Sequence, residues 1–356
     1  MIDVNLCSEC GVPEPFSESQ VWLDNGDVVQ KLNPNARVGF IESQGLDPLF
    51  QNMTEIIGVS IQHLIVNITA RMTEMYTSRL IPSGVRDMVI AGEIIPTDFI
   101  EPLMAYCHTV GYGKYEVMQH RYQNDEDDYL KVRILKPFSI AMAAGALAGA
   151  LSALVGGEHK VVYEEVEPEL YEFTTSWTEY PKGLKERLEL ISYYHQEGNI
   201  HLDLCTKCGA PRAFSKYHWN LGEGIIMNES MARRMVILAP ESLDRLFEEL
   251  EVELGETIPE IVVEAQRLFV KTGFYSLGEI QREEDLRLHL ALRGLGNLRE
   301  MKLDPGGLLM QVDNAAAYLL TVGMAQGLFE MAWGLNSSVT WEISKKGNLV
   351  LKVLPR

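Results

Sequence analysis

The sequence predicts an α+β fold built from two copies of one domain. Three observations carry that prediction: a cysteine knuckle that occurs twice, an amphipathic helix that recurs in the same phase, and β-hairpins segregated from the helices. Helices set apart from antiparallel hairpins indicate α+β rather than a doubly wound parallel sheet. The two repeats are expected to fold as an intramolecular pseudo-dimer.

The knuckles open each copy. The first reads CSECGVPEPFS around Cys7 and Cys10; the second reads CTKCGAPRAFS around Cys205 and Cys208. After a one-residue gap Trp22 meets Trp219, Arg37 meets Arg234, Phe50 meets Phe247 and Gly58 meets Gly255. Next comes a long amphipathic helix, over 45–79 and again over 242–272. Its apolar positions 46, 49, 50, 53, 57, 61, 64, 65 and 68 follow three- and four-residue spacing. Their counterparts, from Leu243 to Ala265, are all apolar. Chance supplies a shared period, but not a shared phase beside the same flanking motif. Pro259 falls inside the second copy and is expected to kink or split it.

The remaining elements keep one order. A helix over 96–109 and 279–292 leads to a glycine turn, Gly111-Tyr112-Gly113 and Gly294-Leu295-Gly296. A hairpin follows, turning at QNDEDD in the first copy and at DPGG in the second, a strong turn signal. An uncharged small-residue helix comes next, 138–155 and 315–333, with Gly145, Gly149 and Gly156 matching Gly323, Gly327 and Gly334. A final strand pair closes each copy. The first repeat therefore spans 1–180, with its knuckle at 1–20. A junction covers 181–198. The second repeat spans 199–356, with its knuckle at 199–220.

Composition narrows the function classes. In 356 residues, 46% are hydrophobic and 23% charged, as in ordinary globular proteins. The formal net charge of −19 argues against a nucleic-acid partner, whose phosphates need clustered positive charge. The N-terminus shows neither the basic nor the apolar region of a secretory signal. Five cysteines are too few for a disulfide framework, so the pairs read as metal ligands or redox centres of a cytoplasmic protein. The charge-free 138–155 segment approaches the length of a membrane span. Its place between hairpins, and Glu330 in its copy, favour a buried helix.

The cysteines carry the clearest chemistry. Two thiolates three residues apart bind one metal when the chain turns tightly, and the glycine after each second cysteine permits that turn. One pair supplies two ligands where structural zinc takes four. The duplication offers the second pair, so Cys7, Cys10, Cys205 and Cys208 are expected to form one zinc site. An iron–sulfur cluster is the alternative for four thiolates. A redox dithiol would lack a thioredoxin-like βαβ context. Cys107 has no counterpart and reads as a small hydrophobe. His201 stands where the first knuckle has Asp3, so it reads as a solvated residue. The run Asp125-Glu126-Asp127-Asp128 reads as a hairpin tip, and Glu164 and Glu342 as strand residues without a nucleophile nearby.

The order of elements resembles the V4R (4-vinyl reductase-like) domain, over roughly 45–175 and 242–354. Gly111-Tyr112-Gly113, Gly145, Gly149 and Val161-Val162-Tyr163-Glu164 carry the likeness in the first copy. Gly294-Leu295-Gly296, Gly323, Gly327 and Val339-Thr340-Trp341-Glu342 carry it in the second. That family is related to the ligand-binding fold of haem nitric-oxide sensors and certain vesicle-trafficking subunits. The resemblance implies binding of a small, often hydrophobic molecule by a sensor or pathway accessory. Many members bind zinc through a Glu and cysteines near the domain's end. Glu164 and Glu342 match that Glu, but the cysteines are missing, so the family's zinc site does not transfer.

The expected ligand pocket lies between the long helix and the glycine-rich helix. In the first copy it comprises Phe50, Met53, Ile57, Gly145 and Gly149. In the second it comprises Phe247, Leu250, Leu254, Gly323 and Gly327. No catalytic constellation is legible. The rivals to a zinc-containing binding protein are a metal-dependent or redox enzyme subunit and a structural subunit of a larger complex. The sequence names no protein partner.

Overall fold

The computed structural model describes residues 4–82, 84–123, 125–178, 194–276, 278 and 282–356. Most of the expected junction, 181–193, lies outside the described residues.

In the first repeat the elements are α1 (Glu14–Ser19), β1 (Gln20–Trp22), β2 (Val28–Gln30), β3 (Arg37–Glu42), α2 (Leu46–Ile57), α3 (Gln62–Leu80), α4 (Val85–Ile90), α5 (Thr97–Thr109), β4 (Lys114–Arg121), β5 (Tyr129–Leu135), α6 (Ile140–Val155), β6 (His159–Glu167) and β7 (Leu170–Trp177). The second repeat contributes β8 (Tyr217–Asn220), β9 (Ile225–Asn228), β10 (Arg233–Leu238), α7 (Glu241–Leu254), α8 (Ile258–Phe269), α9 (Glu283–Leu292), β11 (Asn297–Asp304), β12 (Gly307–Asp313), α10 (Tyr318–Trp333), β13 (Ser337–Ile343) and β14 (Leu349–Pro355). The mixed α and antiparallel β class matches the expectation. The hairpins, glycine turns and small-residue helices fall where the sequence pattern puts them.

The long helix is a correction. It is two helices in both copies, and glycine divides them. Gly58 ends α2 in a left-handed conformation, and Gly255 ends α7 with φ +109°. Pro259 does not cause the break. It sits in the first turn of α8, where its missing N–H costs no hydrogen bond.

The chain forms two compact units, each discontinuous in sequence. One comprises 1–4, 61–190 and 218–236; the other comprises 5–60, 191–217 and 237–356. Each unit thus joins the body of one repeat to the lead segment of the other.

In the first unit α3 lies along α6, and the contact is backbone to backbone. A Cβ on Gly145 or Gly149 would run into the carbonyl oxygens of Val66 or Ala70. The sheet order is β4-β5-β7-β6, antiparallel throughout. Alternation along β5 turns Leu130, Val132 and Ile134 into the core and Lys131 and Arg133 outward. The glycine turn of the first repeat is held by the second repeat's lead. Gly113 N–H donates to Gly224 O (2.9 Å), and the Arg234 guanidinium donates to the carbonyls of Gly111 (3.4 Å) and Lys136.

The second unit has the same plan with the repeats exchanged. Its sheet order is β11-β12-β14-β13. The helices α8 and α10 pack closely, with Val263, Gln266 and Val270 filling the space beside Gly323 and Gly327. The first repeat's α2 packs on α8. Gly296 N–H donates to Gly26 O (3.3 Å), and Arg37 donates to the carbonyls of Gly294 (3.1 Å) and Asn314 (2.8 Å). Arg37 also pairs with Asp27 at 2.7 Å, both side chains being almost wholly buried. A second buried pair joins Arg293 to Glu42, while Arg293 Nε donates to Phe40 O (2.7 Å).

Among the described residues no helix is long and apolar enough to cross a membrane. The charge-free segment forms α6, sixteen residues long and mostly buried.

Candidate metal centre

Both knuckles lie in the second unit and repeat each other bond for bond. Leu6 bridges to Pro13, and Leu204 bridges to Pro211. Cys7 N–H donates to Val12 O (2.9 Å), and Cys205 N–H to Ala210 O (2.7 Å). Gly11 N–H donates to Cys7 O (2.8 Å), and Gly209 N–H to Cys205 O (2.9 Å). Gly11 and Gly209 have φ of +72° and +77°, which an L side chain rarely adopts. The glycine after each CxxC is therefore what lets the turn bring its two sulfurs to one side.

The turns meet with matching cysteines opposed. Cys7 Sγ lies 3.7 Å from Cys205 Sγ, and Cys10 Sγ lies 3.3 Å from Cys208 Sγ. All four sulfurs fall within 4.8 Å of one another. Each cysteine faces its own counterpart. No disulfide joins them. A tetrahedral ion with metal–sulfur bonds of about 2.3 Å separates neighbouring sulfurs by about 3.8 Å, so the observed spacing fits.

The surroundings favour charge separation on the sulfurs. Burial opposes ionisation of Cys7, but the backbone N–H groups of Cys10 and Glu9 and the neighbouring thiols outweigh it, leaving its pKa at about 7. Burial raises Cys10 and Cys208 instead. Four sulfurs this close cannot all ionise without a cation among them. Around them, Glu9 accepts from the Cys205 thiol (3.3 Å) and the Thr206 hydroxyl (3.1 Å), and Lys207 donates to Ser8 Oγ (2.7 Å). Glu9 and these cross-knuckle bonds left no signal in the spacing.

Behind the knuckles, Phe16 and Phe214, the phenylalanines of the repeated motif, join one aromatic cluster. Phe40 packs 5.7 Å from Phe16 and 4.8 Å from Phe214, and Tyr217 packs 4.9 Å from Phe214. The knuckles are anchored to an apolar core as well as to each other.

The other candidate residues go elsewhere. Cys107 is buried in α5, and burial pushes its thiol up to about 12. His201 is exposed and takes no part in the cluster. Glu164 and Glu342 are exposed on β6 and β13. The hairpin acids are more structured than a solvated tip. Asp128 is buried and accepts from Gln123 N–H (2.7 Å) and Asp125 N–H (3.1 Å), while Arg121 binds Asp125 and Asp128.

Of the expected pocket residues, Phe50, Met53, Phe247 and Leu250 are buried side chains of α2 and α7. Ile57 and Leu254 are half-buried at the ends of those helices. Gly145, Gly149, Gly323 and Gly327 sit in the helix–helix contacts described above. None of the ten lines a cavity found in the first unit. That cavity, about 400 Å³, lies at the C-terminal end of α6, beside the β4–β5 turn.

No family model and no curated protein matches the chain. Among solved structures, a point mutant of T. Tengcongensis H-NOX is 16% identical with a TM-score of 0.25, over 33% of this chain and 75% of that one. A Cs H-NOX mutant carrying 4-cyano-L-phenylalanine is 17% identical with a TM-score of 0.25, over 33% and 74%. An oxygen-binding H-NOX domain related to soluble guanylate cyclases is 15% identical with a TM-score of 0.23, over 33% and 71%. Likeness at this level assigns no ligand to the present chain.

Proposed function

We propose that this chain is a zinc-containing small-molecule-binding protein, a sensor or pathway accessory, whose four-cysteine centre ties its two repeats into an intramolecular pseudo-dimer. The observation that carries the metal is the meeting of Cys7, Cys10, Cys205 and Cys208 within 4.8 Å. All-sulfur, closed four-coordinate sites are structural rather than catalytic, because no position stays open for substrate. The zinc thus holds the knuckles, and any ligand binds elsewhere. The resemblance to V4R domains supports the binding role, and the cavity at the end of α6 offers space for it. Reduced thiols suit a cytoplasmic setting.

Elemental analysis and native mass spectrometry of protein purified without chelator test this reading. One zinc per chain, with a co-purified small molecule or a saturable one, is expected. Two zincs per chain would mean separate sites. Brown protein containing iron would replace zinc with a cluster and favour a redox role. Metal-free protein would overturn the centre.

A further inference from the structure

The cavity at the end of α6 has a composition that its counterpart in the second unit lacks. Leu151, Val155, Leu130 and Ile90 supply apolar wall, and His159 and Trp177 face each other across the β6–β7 register. His159 is only 6% exposed. Its Nδ1 lies 2.9 Å from Gly157 O, an atom that can only accept, so Nδ1 carries the proton. Burial lowers the His159 pKa, which keeps the ring neutral. Its Nε2 is then an acceptor, and it has no hydrogen-bond partner among the described residues. Trp177 is 37% exposed beside Gly157, with its indole N–H also unpartnered among them.

The second repeat shows what the same position looks like when it is purely structural. The register pair equivalent to His159 and Trp177 is Ser337 and Pro355. Ser337 donates through both N–H and Oγ to Glu330 Oε1 (2.9 Å each), and Arg267 and Lys271 hold Glu330 from the other side. That network satisfies its own polar groups. In the first repeat Ser152, the counterpart of Glu330, accepts from His159 N–H (3.1 Å), and the imidazole adds an acceptor, Nε2, to the cavity wall.

The titratable side chains of the cavity set the sign of the ligand. Asp125, Glu126 and Asp128 stand against two guanidiniums, Arg121, which already pairs with Asp125 and Asp128, and Arg86, close to Gly156; His120, Tyr122 and Tyr129 complete the titratable lining, and carboxylates outnumber the cations. The rim therefore disfavours an anion.

We propose that this cleft binds an apolar molecule bearing a hydrogen-bond donor and no negative charge, with the donor on His159 Nε2 and the body against Trp177 and the end of α6. The cavity volume falls in the usual range of small-molecule sites, about 300–1,000 Å³. This rests on the binding role proposed above and supplies its site and ligand class.

The test titrates the full-length protein with indole, 1-methylindole and indole-3-carboxylate, read by calorimetry. Indole is expected to bind saturably. Removing its N–H, or adding a carboxylate, should weaken binding about tenfold or more, because the buried acceptor is left unmet or the rim repels. His159→Phe should abolish the difference between indole and 1-methylindole. Val155→Trp, at a half-buried wall position, should abolish binding of all three while thermal melting stays near the parent's; it serves also if His159→Phe fails to fold. Absence of saturable indole binding, equal affinity for 1-methylindole, or full binding by Val155→Trp each overturns the site. If a co-purified molecule is retained by Val155→Trp, the binding role stands and this cleft is not its location.

Discussion

Arg37, in the lead of the first repeat, donates to the carbonyl of Gly294, in the glycine turn of the second, at 3.1 Å. Arg234, its counterpart, donates in turn to Gly111, the glycine turn of the first. The matching arginines of the duplicated sequence thus serve each other's repeats. An exchange of this kind gives each unit a segment of both repeats, so neither unit is a contiguous stretch of chain.

Arg37→Ala should be strongly destabilising. It removes the guanidinium that faces Asp27, a carboxylate 1% exposed, leaving Asp27 only its bonds to Asn25 and His195, along with two carbonyls without their donor. Breaking a buried pair by removing one partner typically costs about 3–5 kcal/mol. Arg234 is only half-buried and donates to the carbonyls of Pro137, Gly111 and Lys136, so Arg234→Ala should cost less. Urea denaturation of both variants measures the order. Equal losses would mean that the buried Asp27 charge contributes little.

The small-residue helices make a packing prediction. A Cβ on Gly149 would meet the Ala70 carbonyl oxygen of α3 at 2.1 Å, where no side chain can yield, whereas one on Gly327 would first meet the Val270 side chain at 2.7 Å. Gly149→Ala should destabilise more than Gly327→Ala. Overpacking costs about 1–3 kcal/mol, and the backbone contact belongs at the upper end. Thermal melts rank the two. A parent-like Gly149→Ala would place α3 and α6 farther apart than described.

Cys7→Ser should lower zinc content without unfolding the chain. The aromatic cluster of Phe16, Phe40, Phe214 and Tyr217 and the Lys207–Ser8 bond hold the knuckles independently of metal. Small zinc fingers unfold on metal loss because the metal supplies their folding energy. Here far-UV circular dichroism should remain parent-like while metal falls. Loss of the helical signal would show that the metal organises the core.

Much of this was legible in the sequence because it is periodic or duplicated. The CxxC pairs, their following glycines and the hairpin turns each mark a local backbone need, and the four-cysteine cluster followed from pairing them. The break at Gly58 was hidden because apolar spacing runs through it; the phase of a helix survives a short interruption. The exchange of leads was hidden because periodicity says which face is buried and not which repeat buries it. The bond between His195 Nδ1 and Asp27 Oδ2 (2.6 Å) joins residues far apart with no motif around either. His159 was passed over for a similar reason. Its role depends on a cavity, and a cavity has no local sequence signature.

Asp244 supplies a prediction with a sign. Burial raises its carboxyl to about 7, although Ala317 N–H donates to Oδ2 (3.1 Å) and Arg37 opposes the shift. An unfolded aspartate titrates near 3.9. Between those values the folded chain binds the extra proton, so this group lowers stability as pH rises from about 4 to about 7, and its effect levels off above. Asp244→Asn keeps a carbonyl oxygen to accept from Ala317 and cannot ionise. The variant should match the parent near pH 4 and exceed it at pH 8, with the difference opening between. Thermal melts across that range measure it, and taking the difference cancels the thiols and other groups common to both proteins. A variant less stable than the parent at pH 8 would show that the ionised carboxylate is stabilising, through Ala317 and the Arg37 charge, and that burial is not its dominant influence.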